Sequence, residues 1–185
     1  MSTLKVNKLQ KTVSGAATFT LPTDDGTSGQ YIKTDGSGAL SFGTPSGGKV
    51  LQLLYTSQAV GVSTTSTSYI TTGMSIAITP ASTSSRFLLI LAGGSAQAAS
   101  GEQMHTTFFV DTGSGAAEVS PAGPYEQIRN NGGTGLHQTH SAICVHSPST
   151  TNSTTYHVYY KVNSGTGVWS TGTMRTEFSV MELSS

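Results

Sequence analysis

Along residues 156 to 162, large side chains that favour a buried face return at every second position. Tyr156, Val158, Tyr160 and Val162 alternate with His157, Tyr159 and Lys161. A period of two belongs to a strand with one covered face, and a helix does not produce it. Met74, Ile76 and Ile78 repeat the pattern within Tyr69 to Thr79, before Pro80 stops the run. Phe87 to Leu91 is apolar at consecutive positions, as in a strand covered on both faces. Val50 to Tyr55, Thr106 to Val110, His137 to Val145 and Met174 to Leu183 read as further strands. A long loop is expected through Gly113, Pro121, Gly123, Pro124 and the run Asn130 to Gly133. About seven or eight short strands with Gly, Ser and Pro turns predict an all-β fold, a jelly-roll-like β-sandwich over residues 49–185.

Composition agrees. Of 185 residues, 27 are Ser, 29 Thr and 22 Gly, and only 10% are charged. Long solvated helices need Glu, Lys and Arg, so a helical bundle is excluded. Nine basic and nine acidic residues leave no net charge. That argues against nucleic acid as a partner, since neutralising phosphates takes a basic face. The longest apolar run, Phe87 to Ala92, is far short of the roughly 18 residues a spanning helix needs, so no membrane insertion is expected. The first residues lack the apolar centre of a signal peptide, and the single cysteine, Cys144, permits no internal disulfide. Synthesis and folding in a cytoplasm follow as the expectation.

Residues 1–48 form a different region. Leu4, Val6, Leu9, Val13, Phe19, Leu21, Tyr31, Ile32, Leu40 and Phe42 are spaced too thinly for a core. Asp24-Asp25-Gly26 and Asp35-Gly36 mark turns. Leu4 with Val6, and Phe19 with Leu21, read as short alternating strands that need a partner, and another copy of the chain is the expected one.

Reactive constellations are sparse. Asp24-Asp25-Gly26 lacks the further oxygen ligands and closing Glu of a calcium loop. Gly113-Ser114-Gly115 lacks the strand-turn-helix setting of a nucleophile elbow. Glu177 and Glu182 have opposite parity and point to opposite faces, so they make no glycosidase pair. His105, His137, His140, His146 and His157 fix no metal geometry by their spacing, although one His repeated about a threefold axis could supply three ligands. Cys144, between Ile143 and Val145, reads as a small buried hydrophobe. Asn152-Ser153-Thr154 matches a glycosylation acceptor but has no secretory context. Tyr125, Arg129 and Trp169 fall in expected loops and are residue types that anchor interfaces or cap packing. Asn130 and Asn131, with the glycines after them, suit an adaptable binding loop. No enzyme, metal or cofactor is expected.

The stretch from Leu21 to Gly43, LPTDDGTSGQYIKTDGSGALSFG, resembles a segment recurrent in tail-fibre and other virion proteins of tailed phages, particularly marine and cyanobacterial ones. The opening Ser2 to Gln10 is similar to their N-termini. Ser66 to Tyr69, Ile78 to Pro80 with Thr83 to Leu88, and Phe178 to Leu183 add matches in the same order, leaving residues 95 to 150 least matched. The resemblance implies a non-enzymatic, homotrimeric virion protein on the outside of the particle. Residues 1–48 would attach to other virion proteins, with Leu4, Val6 and Leu9 as the anchor, and wind into a short stalk. Residues 49–185 would form a knob of jelly-roll or tumour-necrosis-factor-like type. A short tail fibre would use Tyr125, Arg129, Asn130, Asn131 and Trp169 to touch a host-surface glycan or protein. The alternative is a trimeric capsid decoration or cement protein, or a tail adaptor, without receptor binding.

Overall fold

The computed structural model describes residues 6–10, 18–45, 48–59, 61–119, 126–132, 137–169 and 174–184, in two units, Met1–Gly47 and Gly48–Ser185. The described residues contain no helix, and all the paired strands are antiparallel. The protein is all-β.

In the first unit, β1 (Lys8–Gln10) pairs with β2 (Thr18–Thr20), placing Leu9 opposite Phe19. Leu4, of the expected Leu4 and Val6 strand, lies outside the described residues, and Val6 precedes this first described strand. A second hairpin, not expected from the sequence, joins β3 (Tyr31–Thr34) to β4 (Leu40–Gly43). Its turn is built on Asp35, whose Oδ1 accepts hydrogen bonds from the amides of Ser37 (2.8 Å) and Ala39 (3.0 Å). Those bonds favour the ionised carboxyl and lower its pKa. At the Asp24-Asp25-Gly26 turn, Gly26 has φ +72°, and a Cβ there would stand 2.7 Å from the Phe42 ring. Only glycine fits. Among its described residues the unit has four strands and no member of the buried apolar core; Val6, Leu9, Phe19, Tyr31 and Ile32 are exposed, and Leu40 and Phe42 half-buried.

The second unit holds β5 (Val50–Gln58), β6 (Val62–Thr64), β7 (Ile70–Ile78), β8 (Arg86–Ala96), β9 (Gln103–Asp111), β10 (Ala117–Glu118), β11 (Glu126–Arg129), β12 (Gln138–His146), β13 (Thr154–Val162), β14 (Gly167–Trp169) and β15 (Thr176–Leu183). One sheet runs β12-β8-β15-β5; the other runs β10-β9-β13-β7, with β11 also on β9. Successive long strands alternate between the sheets, so most connections cross the sandwich. The inner faces carry the alternation legible in the sequence: Phe87, Leu89 and Leu91 on one side, Tyr156, Val158 and Tyr160 on the other, all buried. Phe108 of β9 stacks on Phe178 of β15 at 5.7 Å between ring centroids, and Phe87 meets Tyr156 at 5.6 Å. These aromatic pairs join the two layers.

Polar pins complete the packing. Glu182 is fully buried. Its carboxylate accepts from the Ala81 amide at 2.7 Å and from Gln52 Nε2 at 2.6 Å, while Gln52 Nε2 also donates to the Thr79 carbonyl. One side chain thus ties β15 to β5 and to the turn after β7. Gly93 in β8 has φ +83°, and a Cβ there would stand 2.8 Å from the Arg175 carbonyl oxygen, so this close approach to the start of β15 needs glycine. The long loop expected over 113–133 is corrected by β10 and β11, and β6 with β14 form a further small sheet that periodicity missed.

Candidate interaction surface

The two outer faces of the sandwich differ in chemistry. On the sheet containing β7, exposed Thr71, Ser75 and Ala77 lie beside half-buried Thr155, His157, Tyr159 and Lys161 of β13. The large side chains there cover one another. Phe109 stacks on Tyr159 at 4.1 Å, Tyr69 meets Phe109 edge-on at 5.9 Å, and Lys161 Nζ lies 4.4 Å from the Tyr69 ring centroid. Thr107 donates to Glu118 at 3.0 Å. This is how a solvated face is finished, with rings paired and a cation over a ring.

The outer face of the β12-β8-β15-β5 sheet is apolar. Cross-strand register places Val145, Leu88, Met181 and Leu53 in one row, and Ile143, Ile90, Ser179 and Tyr55 in the next. Tyr55 is 73% exposed, Ile143 64% and Leu53 54%; Val50, Leu51 and Val145 are exposed beside them. Leu88, Ile90, Met181 and Leu183 are half-buried. Among the described side chains, charge appears only toward the ends of this face, at Arg86 beside Leu183 and at Glu177 beside Ala92. Both edge strands, β5 and β12, have nine residues, and β5 carries neither Lys nor Pro to discourage pairing or packing. The consecutive apolar residues of Phe87 to Leu91 and Val50 to Tyr55 are two-sided strands whose outer side is half covered at Leu88 and Ile90 and exposed at Leu51, Leu53 and Tyr55 among the described residues.

The residues singled out from sequence are placed differently. Trp169 is not a loop residue but the last residue of β14, opposite Val62, fully buried and 6.0 Å from the Tyr160 ring. Asn130 is also buried: its Nδ2 donates to the Ala98 carbonyl at 3.0 Å, its backbone amide donates to Glu102, and its carbonyl accepts from Gly101. It pins the end of β11 to the turn between β8 and β9, so Trp169 and Asn130 are core residues rather than surface contacts. Arg129 and Asn131 are exposed on either side of Asn130. Val6 and Leu9 are exposed, whereas Leu4 and Tyr125 lie outside the described residues.

Nor do the histidines gather. Among the described residues no three His, Cys, Asp or Glu side chains converge to hold a metal ion. His146 Nδ1 lies 3.0 Å from the Tyr156 hydroxyl, and His105 and His157 belong to the other sheet. Burial lowers the pKa of all three; Lys161 adds to the effect at His105, and Asp111 opposes it at His157. The His140 side chain lies outside the description. Cys144 is buried on the inner side of β12. Glu177 is exposed and Glu182 buried, in keeping with their opposite parity. What sequence reasoning missed is the apolar outer face, because an apolar side chain in a strand carries the same signal whether its own chain or another covers it.

No family model matches the chain, and no curated protein matches it. Among solved structures, the chain is similar to one described as the structure of infectious bursal disease virus, Gt strain, with 12% identity and a TM-score of 0.39 over 78% of this chain and 42% of that one. The corresponding structure of the Gx strain gives 11% identity and a TM-score of 0.36 over 78% and 43%. The chain spans less than half the length of either.

Proposed function

We propose that this protein is a non-enzymatic virion structural protein of a tailed phage, a short homotrimeric tail fibre. Residues 1–48 attach to the particle, and residues 49–185 form the knob that meets a host-surface glycan or protein. The observation that carries the reading is the contrast between the two units. The second has its own closed core, whereas the first, in its described residues, has four strands that bury no apolar side chain fully: Leu9, Phe19, Tyr31 and Ile32 are exposed, and Leu40 and Phe42 are half-buried. A short strand pair without a covered face is marginal in water. Three copies wound together supply the missing cover, and a closed threefold arrangement repeats each contact at the tip three times. In this reading Arg129 and Asn131 belong to the exposed rim that touches the host, with Trp169 and Asn130 behind it.

Gold-labelled antibody against residues 49–185 on intact virions, paired with light scattering on the purified chain, tests the reading. Label confined to the tail and a mass three times the 19.1 kDa chain are expected. Label spread over the head would replace the fibre by a capsid decoration protein, and a monomeric mass would remove the intertwined stalk.

A further inference from the structure

We propose that the outer face of the β12-β8-β15-β5 sheet is a self-association interface of the second unit, buried where the same faces of the three copies of this chain meet around the threefold axis. The inference deepens the fibre reading and rests on its self-association, but it concerns a surface which that reading does not specify.

Three observations select a second copy as the occupant. First, the two outer faces of one sandwich provide an internal comparison. The β7 side is finished with Thr, Ser, a ring stack and a lysine, whereas this side presents Tyr55, Ile143, Leu53, Val145 and Leu51 to solvent. A face meant for water would resemble the first. Second, the extent fits. With strands about 4.8 Å apart and about 3.4 Å per residue, four strands by seven residues project roughly 450 Å². That projection, which takes in Ser179 and the charged ends at Arg86 and Glu177, is more than half of the roughly 800 Å² that each partner gives to a standard interface. Third, the charges permit it. The rows from Val145 to Leu53 and from Ile143 to Tyr55 contain no ionisable group other than the Tyr55 phenol, and the chain has no net charge to keep copies apart. A nucleic acid or an acidic surface has nothing here to bind, whereas an identical apolar face is complementary to this one.

The test uses the full chain carrying Tyr55→Cys, with Ser75→Cys on the opposite outer face as the control. Position 55 is 73% exposed in a single chain, so slow maleimide labelling there can come only from a partner's cover. The purified protein contains no other partner. Cys144, the remaining thiol, is buried and is read separately in wild type. The expected result is labelling at least tenfold slower for Tyr55→Cys than for Ser75→Cys at high protein concentration, with the difference vanishing on dilution as the mass falls. Ile143→Lys and Leu53→Glu should each lower the association constant at least tenfold while preserving the β-sheet circular-dichroism spectrum. An oligomer in which Tyr55→Cys labels as fast as Ser75→Cys at every concentration overturns the interface and leaves the fibre reading standing. Protection at position 55 in a protein that decorates heads overturns the fibre reading and leaves the interface standing. A protein monomeric at every concentration overturns both.

Discussion

The stacked pair Phe108 and Phe178 offers a direct measure of how the two sheets are held together. Both side chains are fully buried, and their rings meet at 5.7 Å with 22° between planes. Truncating Phe178 to Ala removes a ring from the middle of the sandwich. A large-to-small change of this kind typically costs about 3–5 kcal/mol, from lost transfer free energy and the cavity left behind. Against a total stability of roughly 5–15 kcal/mol for a domain, that is a substantial fraction. At about 2–4 °C per kcal/mol for a chain of this size, the melting temperature should fall by roughly 10 °C. Phe108→Ala should cost a similar amount. The pair should not be additive, because aromatic contacts are worth about 0.5–1.5 kcal/mol beyond area, and that contribution is lost in either single variant. Guanidinium unfolding followed by the emission of the single tryptophan, buried Trp169, reads all four corners of the cycle. A Phe178→Ala cost below about 1 kcal/mol, or strict additivity with Phe108→Ala, would refute the facing of β9 on β15.

Four further outcomes follow from the geometry. Trp169 should emit at short wavelength and resist iodide quenching in the native protein, and Trp169→Ala should lower stability by about 3–5 kcal/mol; a red-shifted, fully quenched native spectrum would return it to the surface. Gly93→Ala forces a Cβ to within 2.8 Å of the Arg175 carbonyl oxygen at φ +83° and should cost about 1–3 kcal/mol, read as a lower melting temperature. Gln52→Ala leaves the buried Glu182 carboxylate with the Ala81 amide as its remaining described partner and should cost about 1.5–3 kcal/mol by denaturant titration. His105, His146 and His157 all have lowered pKa values when folded, so the unfolded chain binds more protons and stability rises with pH. Stability should be full above the ordinary histidine value of 6.5 and fall as pH drops below it, and His146→Asn should flatten that slope in a pH series of melting curves.

The long strands were legible because their side chains alternate against a core supplied by their own chain, as Tyr156 to Val162 and Met74 to Ile78 do. The short ones were not. β14 has three residues and lies between glycine-rich segments, so its membership depends on pairing with β6, which is remote in sequence, and on Trp169 meeting Tyr160. Asn130 looked like a flexible loop residue for a similar reason: the Ala98 carbonyl that holds its side chain is 32 residues away. The apolar face lay in plain view as the consecutive hydrophobic residues of β5 and β8. Local pattern carries no label for which molecule covers them.

The chain's entry into the sandwich and its exit from it are fastened side by side. Lys49 donates its amide to Ser184 Oγ at 2.8 Å, and the Ser184 amide returns a bond to the Lys49 carbonyl at 2.9 Å. Strands β5 and β15 run antiparallel away from this clasp. A pull that separates residue 49 from residue 184 therefore loads the ladder at its end and opens it one pair at a time, like a zip. A pull applied between residue 49 and the far end of the sandwich loads many of those hydrogen bonds together, in shear. The module is accordingly weak in one direction and strong in another, and a load applied through its first strand meets different resistance depending on where the opposite force is applied.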